Sequence, residues 1–153
     1  MKKHRLVRQQ NEWGCGVACT ASLLGISYKG AMAEVQIAAA ANIDFSLEGL
    51  ELEIIISVLQ QHGLSVSVRT DLKRWPIGTI AFLSEKEGAY KGSGHYILKT
   101  KEGWMDPYFN ALTRGEKESR KARCRSRLPR NTFVQVALVP LSQPSCPFKT
   151  NPL

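Results

Sequence analysis

The chain has 153 residues, of which 43% are apolar, and a formal net charge of +8 at pH 7. This length and apolar content predict one compact domain with a hydrophobic core of its own. They argue against a membrane protein, because no stretch approaches the roughly 20 apolar residues that a spanning helix needs. The basic start lacks the segment order of a signal peptide, so we expect a cytoplasmic protein.

Helical spacing of apolar residues dominates the first half of the chain. After an extended lead-in at 4–8, we predict three helices: 15–24, 28 to about 41, and a third that continues through residue 61. Gly25 and Gly63 are expected to end the first and third helices, because glycine readily adopts the left-handed conformation of a helix terminus. Ser46, in the loop at 42–46, can cap the third helix.

Apolar runs in the second half predict strands at 64–69, 78–83, 96–100, 104–106 and 133–138. The polar loop at 84–93, which precedes His95, is expected to border a cleft. Helices followed by strands predict an α+β fold, with an N-terminal helical part and then an antiparallel sheet. We expect a single domain over 1–140 and a proline-rich, irregular tail over 141–153.

Positive charge is concentrated near the N-terminus and between Arg114 and Arg130. Such clusters could attract an acidic partner, nucleic acid or an anionic membrane. No aromatic residue that could stack on bases lies between Arg114 and Arg130, which argues against nucleic acid as a partner. We therefore interpret 114–130 as a solvated, partly helical surface segment.

The surroundings of Cys15 have the features of a thiol nucleophile. Thiolates, and not thiols, attack carbonyl groups, and a helix N-terminus favours the thiolate. Cys15 opens the first predicted helix, and Gly14 and Gly16 allow the backbone to turn and to approach a substrate closely. Cys19 lies one helical turn later and is expected to be a small buried residue.

His95 and Asp106 are the predicted base and its orienting acid. Lys101-Glu102-Gly103 between their strands looks like a type I turn with glycine in a left-handed position. That hairpin places Asp106 opposite Ile97, whose side chain points to the same face as His95, because side chains alternate along a strand. The two side chains can therefore meet. His4, in the charged start, and His62, at a helix end, are poorer candidates.

An acyl-transfer site also needs donors for the developing oxyanion. The backbone N–H of Cys15 and the side-chain amide of Gln9 could supply them, with Gln10 as the rival glutamine. Trp13 and Trp104 either line the cleft or pack in the core.

The four cysteines do not predict a metal site or another cofactor. Cys15 and Cys19 are four residues apart, and Cys124 and Cys146 stand alone, without the paired spacing of zinc modules. A disulfide framework is not expected in a cytoplasmic chain of this size.

Four groups of residues make the chain resemble the papain-like, bacteriocin-processing peptidase family, whose domain cuts leader peptides after a double-glycine-type site. They are Gln9 six residues before Cys15, the run from Cys15 to Cys19, Gly94-His95-Tyr96, and Asp106-Pro107. The resemblance covers about residues 5–112.

The resemblance implies a papain-like fold in which Cys15 is the nucleophile, His95 the base, Asp106 its orienting residue and Gln9 the oxyanion donor. The implied substrate is a peptide or protein cut at a small-residue, Gly-Gly-like site. Because the family's domain is often fused to an ABC exporter, any exporter partner is expected to be a separate protein.

Two alternatives remain open at the level of sequence. The same catalytic residues could serve an acyl-transfer toxin or secreted effector, such as a deamidase or a transglutaminase-like enzyme. The chain could also be an inactive, peptidase-like binding module, although such relatives usually lack the cysteine that is present here as Cys15.

Overall fold

The computed structural model describes residues 4–8, 10, 14–40, 52–86, 94–107, 122–129 and 131–141. In these residues helices precede strands, in the order α1 (Cys15–Leu24), α2 (Tyr28–Ala40), α3 (Leu52–Gln61), β1 (Val66–Arg69), β2 (Ile80–Glu85), β3 (Gly94–Thr100), β4 (Gly103–Asp106), β5 (Arg123–Arg125) and β6 (Thr132–Pro140). The strands form an antiparallel sheet of order β1-β6-β2-β3-β4-β5. The predicted α+β class is confirmed.

Helix α1 has the bounds that its apolar spacing predicts. Gly25 follows it with φ of 73°, and its N–H bonds back to the carbonyls of Ala21 and Ser22, as expected of a left-handed glycine cap. Every residue from Cys15 to Ser22 is buried, so α1 is a central helix with neighbours on all sides. The predicted third helix is also present, but its proposed cap, Ser46, and the tail at 142–153 lie outside the described residues.

The two faces of the sheet belong to two apolar clusters. On one face, Tyr96, Leu98 and Met105 pack with the three helices. On the other face, Ile97 and Trp104 pack with residues of β2 and β6. This alternation along β3 and β4 is the period of two expected of strands.

All five predicted strands are present, but their boundaries differ from the predicted ones by one or two residues, most clearly in β2 and β6. Strand β2 begins at Ile80 and not at Gly78, because Gly78 has φ of 94° and belongs to the turn before the strand. Strand β6 is longer than predicted and runs from Thr132 to Pro140, since it pairs with both β1 and β2.

The interpretation of 114–130 as partly helical is wrong for the part that the structure describes. Residues Arg123–Arg125 form strand β5, which pairs with β4. The backbone of β5 forms its hydrogen bonds with β4, and Cys124 packs against the core cluster on the helix face. Pairing with a distant strand therefore outweighs the local tendency of a basic segment to remain solvated.

Candidate active site

The β3–β4 hairpin brings His95 and Asp106 together. Its register pairs Leu98 with Met105 and Thr100 with Gly103, which agrees with the predicted placement of Asp106 opposite Ile97. The Nε2 atom of His95 lies 2.6 Å from Oδ1 of Asp106. This is the length of a strong, charge-assisted hydrogen bond.

Gly103 makes this hairpin possible. Its φ of 118° lies where side chains are strongly disfavoured. A Cβ atom here would also lie only 2.6 Å from the backbone oxygen of Arg125 on β5. Glycine therefore allows both the turn into β4 and the close approach of β5.

Helix α1 supplies the third side chain of the site. Cys15 is its first residue, and the sulfur accepts a hydrogen bond from the backbone N–H of Tyr96 at 3.4 Å. The Cys15 side chain also forms a hydrogen bond with His95. Because Nε2 of the ring faces Asp106, Nδ1 is the nitrogen that remains for the thiol. The structure thus brings together three of the four predicted site residues, in the order Cys15, His95, Asp106.

The environment of Cys15 favours its thiolate. Burial by itself raises the pKa of this thiol, but the hydrogen bond and positive charge of His95 lower it, as do backbone N–H groups of Tyr96 and Gly16. The net effect is a pKa below the usual 9.0. A lowered pKa is the property that distinguishes a reactive cysteine from a structural one.

The environment of His95 favours its imidazolium. Burial lowers the pKa of the ring, but the hydrogen bond and negative charge of Asp106, followed by those of Cys15, raise it from 6.5 to about 10. The lowered pKa of Cys15 and the raised pKa of His95 both favour a thiolate–imidazolium pair, with Asp106 behind the imidazolium. All three residues are almost completely buried, with 8%, 3% and 2% of their surface exposed.

Other predicted residues of the region have different positions. Cys19 is fully buried, as expected, and burial raises its pKa well above 9.0. Trp104 packs in the core with Ile97, on the sheet face opposite the helices, with Nζ of Lys99 5.1 Å from its ring centroid. Gln9, the proposed oxyanion donor, lies outside the described residues, as do Trp13 and most of the loop expected to border the cleft.

Sequence reasoning missed one charged neighbour of this site. Nε of Arg125, on β5, lies 3.9 Å from Oδ2 of Asp106. The alternation Arg123-Cys124-Arg125 is a short strand signal, but the basic composition around it favoured a solvated segment. The backbone N–H of Tyr96, which contacts the thiol, carries no sequence signal because every residue except proline has one.

Neither a metal-binding cluster nor a membrane-spanning helix is found among the residues that the structure describes. They contain no group of three or more His, Cys, Asp or Glu side chains that could hold a metal ion. They also contain no helix that is long and apolar enough to cross a membrane.

Comparisons with known proteins agree with this architecture. The fold is similar to that of a double-glycine-motif protease from an AMS/PCAT transporter, whose crystal structure was determined in complex with the leader peptide. The TM-score is 0.58 at 13% sequence identity, and the match covers 90% of this chain and 91% of that chain. No curated protein matches the sequence.

The peptidase C39 family model matches residues 3–103, more than half of the chain and a range that contains Cys15 and His95. The chain therefore belongs to the peptidase C39 family and is a cysteine peptidase.

Proposed function

We propose that this cysteine peptidase cleaves a leader-type peptide or protein substrate at a Gly-Gly-like site, with Cys15, His95 and Asp106 as its catalytic triad. The observation that carries the proposal is the hydrogen-bonded series Cys15–His95–Asp106, in which the pKa of Cys15 is lowered and Asp106 lies 2.6 Å from His95. Nucleophile, base and orienting group are thus within bonding reach of one another.

In the proposed first half-reaction, the thiolate of Cys15 attacks the scissile carbonyl carbon. The carbonyl oxygen becomes an oxyanion, to which the Cys15 N–H and the Gln9 side-chain amide are proposed to donate. The imidazolium of His95 then gives its proton to the leaving amine. The C–N bond breaks and leaves a thioester on Cys15, while Asp106 keeps the ring of His95 in its orientation.

In the second half-reaction, neutral His95 takes a proton from water, and the resulting hydroxide attacks the thioester carbonyl. The C–S bond breaks, the carboxylic acid product leaves, and the thiolate–imidazolium pair is restored. Atoms and charges balance over the two steps, and no cofactor is required.

Burial of the triad supports a small-residue specificity. Only 8% of the Cys15 surface is exposed, which suits a substrate without bulky side chains at the cut. The similar protease that was crystallised with a leader peptide supports the same substrate class. We therefore propose a leader peptide as substrate and an ABC exporter as partner.

A reducing compartment suits this chemistry. Cys15, Cys19 and Cys124 are free thiols, and the nucleophile must remain reduced to act. We therefore propose that the enzyme works in the cytoplasm.

The test is cleavage of synthetic peptides that contain an internal Gly-Gly site, followed by mass spectrometry, with wild type and Cys15→Ala. We expect cleavage by the wild type after the second glycine and none by the variant, while circular dichroism stays unchanged. Cleavage that survives Cys15→Ala would contradict the proposed nucleophile. Deamidated or cross-linked glutamine without clipped peptide would instead identify the acyl-transfer alternative.

A further inference from the structure

Asp106 has two carboxylate oxygens, and the proposed mechanism uses only one of them. Oδ1 bonds to His95, whereas Oδ2 lies 3.9 Å from Nε of Arg125. The Asp106 side chain is only 3% exposed and that of Arg125 is 18% exposed. At this separation the contact is an ion pair, and the low exposure makes it weakly screened by solvent.

Strand β5 fixes where Arg125 can lie. Its register pairs Arg125 with Trp104 and Arg123 with Asp106, so Arg125 is offset by two residues from Asp106 along β4 and lies on the same sheet face. The close approach of β5 to Gly103 holds the backbone of Arg125 against the hairpin. Backbone pairing therefore fixes the point from which the Arg125 side chain reaches Asp106.

Charges alternate in sign from the His95 imidazolium through the Asp106 carboxylate to the Arg125 guanidinium. Loss of Arg125 would remove a positive charge beside a buried carboxylate, which is unfavourable. Arg125 also limits how the carboxylate can rotate, because a rotation that takes Oδ2 away from the guanidinium weakens the ion pair.

We propose that Arg125 is a positioning residue of the active site, which holds Oδ2 of Asp106 so that Oδ1 faces Nε2 of His95. This inference rests on the proposed function of the triad. It extends the site to β5, which lies beyond the range 3–103 covered by the family match.

The test combines Arg125→Gln, Arg125→Lys and Asp106→Asn with the double variant Arg125→Gln/Asp106→Asn. The control is Arg69→Gln, because Arg69 is an exposed arginine on β1, at the opposite edge of the sheet, and pairs with Asp71. Two quantities are measured: kcat and KM for a fluorogenic peptide ending in Gly-Gly, and the rate of Cys15 alkylation by iodoacetamide at pH 6. Circular dichroism and thermal unfolding monitor the fold.

Arg125→Gln is expected to lower kcat about ten- to a hundredfold, the usual effect of small misplacement of a catalytic group, with little change in KM. Arg125→Lys should retain much of the wild-type kcat because it keeps the positive charge. The control, Arg69→Gln, should have the kcat of the wild type. In the Asp106→Asn background, Arg125→Gln should cause almost no further loss of alkylation rate, because the group through which it acts is absent.

Two outcomes would overturn the role of Arg125. One is an Arg125→Gln variant with wild-type kcat and alkylation rate. The other is an equal loss with and without the Asp106 carboxylate, which indicates a purely structural role for β5. If Arg125→Gln does not fold, Arg125→Met, which keeps the aliphatic stem, replaces it in the same comparison. Failure of the triad itself would appear separately, as cleavage that persists in Cys15→Ala.

Discussion

Cys15 and Cys19 form a natural comparison at the scale of single residues. Both are buried and lie one turn apart on α1, yet the pKa of Cys15 is lowered and that of Cys19 is raised well above 9.0. Burial raises both pKa values. Only the Cys15 sulfur contacts His95 and the backbone N–H of Tyr96, and both contacts lower its pKa. The contacts of the sulfur, and not its depth, therefore decide which cysteine can act as nucleophile.

This comparison predicts how the alkylation of Cys15 depends on pH. In the wild type, iodoacetamide should label Cys15 with a midpoint below pH 9.0, because the pKa of this thiol is lowered. In His95→Ala, burial remains but the largest lowering influences are lost, so the midpoint should move upward. Peptide mapping by mass spectrometry measures the labelling, and Cys19 serves as the internal control because its raised pKa keeps it unreactive. Identical midpoints in the two proteins would show that His95 does not activate Cys15.

At the scale of elements, the β3–β4 hairpin and the β4–β5 pair set the geometry of the site. Both depend on Gly103, where the chain turns with positive φ and where β5 comes closest. Gly63 also has a positive φ, of 78°, but nothing lies within 4 Å of the position of its missing Cβ. Substitution of Gly63 therefore measures the free-energy cost of backbone strain alone, whereas substitution of Gly103 adds the cost of a clash with β5.

Gly103→Ala should destabilise the protein more than Gly63→Ala. We expect the free energy of unfolding to fall by about 1 kcal/mol for Gly63→Ala, from backbone strain alone. Gly103→Ala adds a collision with a backbone oxygen, which side-chain rotation cannot relieve, and should cost about 2–4 kcal/mol. Urea unfolding measures both values, and peptide cleavage should decline only in Gly103→Ala because its strand carries Asp106. Equal losses in the free energy of unfolding would mean that β5 can move away from the hairpin without destabilising the protein.

The hairpin and β5 also show how far sequence reasoning can extend. The register of β3 and β4 follows from counting residues across a short turn, because side-chain alternation and a turn glycine are local properties. Strand β5 pairs with β4 across a long stretch of chain, and three basic-rich residues carry too little pattern to reveal a nonlocal partner. The sequence therefore predicts the contact of His95 with Asp106, but it does not predict the contact of Arg125 with Asp106. The contribution of Gln9 stays a prediction.

At the scale of the whole molecule, the site joins its two layers. Cys15 comes from the helical part, and His95 and Asp106 come from the sheet, so formation of the thiolate–imidazolium pair requires α1 to dock on β3. The pair is assembled only in the folded protein, since the unfolded chain separates these residues by about eighty positions. Its protonation is consequently linked to folding.

The two members of the pair contribute to stability with opposite dependence on pH. The folded pKa of His95, about 10, exceeds the usual 6.5, so its stabilisation is complete below pH 6.5 and is lost as pH rises through about 10. The folded pKa of Cys15 lies below the usual 9.0, so its stabilisation is complete above pH 9.0 and is lost as pH falls through the lowered value. In the part of the range from pH 6.5 to 9.0 that lies above the lowered pKa of Cys15, the two changes offset each other, because the folded pair and the unfolded chain each hold one proton there.

Cys15→Ala should remove the Cys15 contribution to stability and leave the pH dependence of the His95 contribution unopposed. In the variant, Asp106 still raises the pKa of His95, so the His95 contribution should decline as pH rises from 6.5, with no thiolate contribution to offset it. We therefore expect the difference in free energy of unfolding between wild type and Cys15→Ala to grow with pH between the lowered pKa of Cys15 and pH 9.0. Urea titrations across this range measure it, and Cys124→Ala, which leaves the pair intact, should keep a constant offset from the wild type. A constant difference for Cys15→Ala as well would mean that Cys15 is not a thiolate in the folded protein.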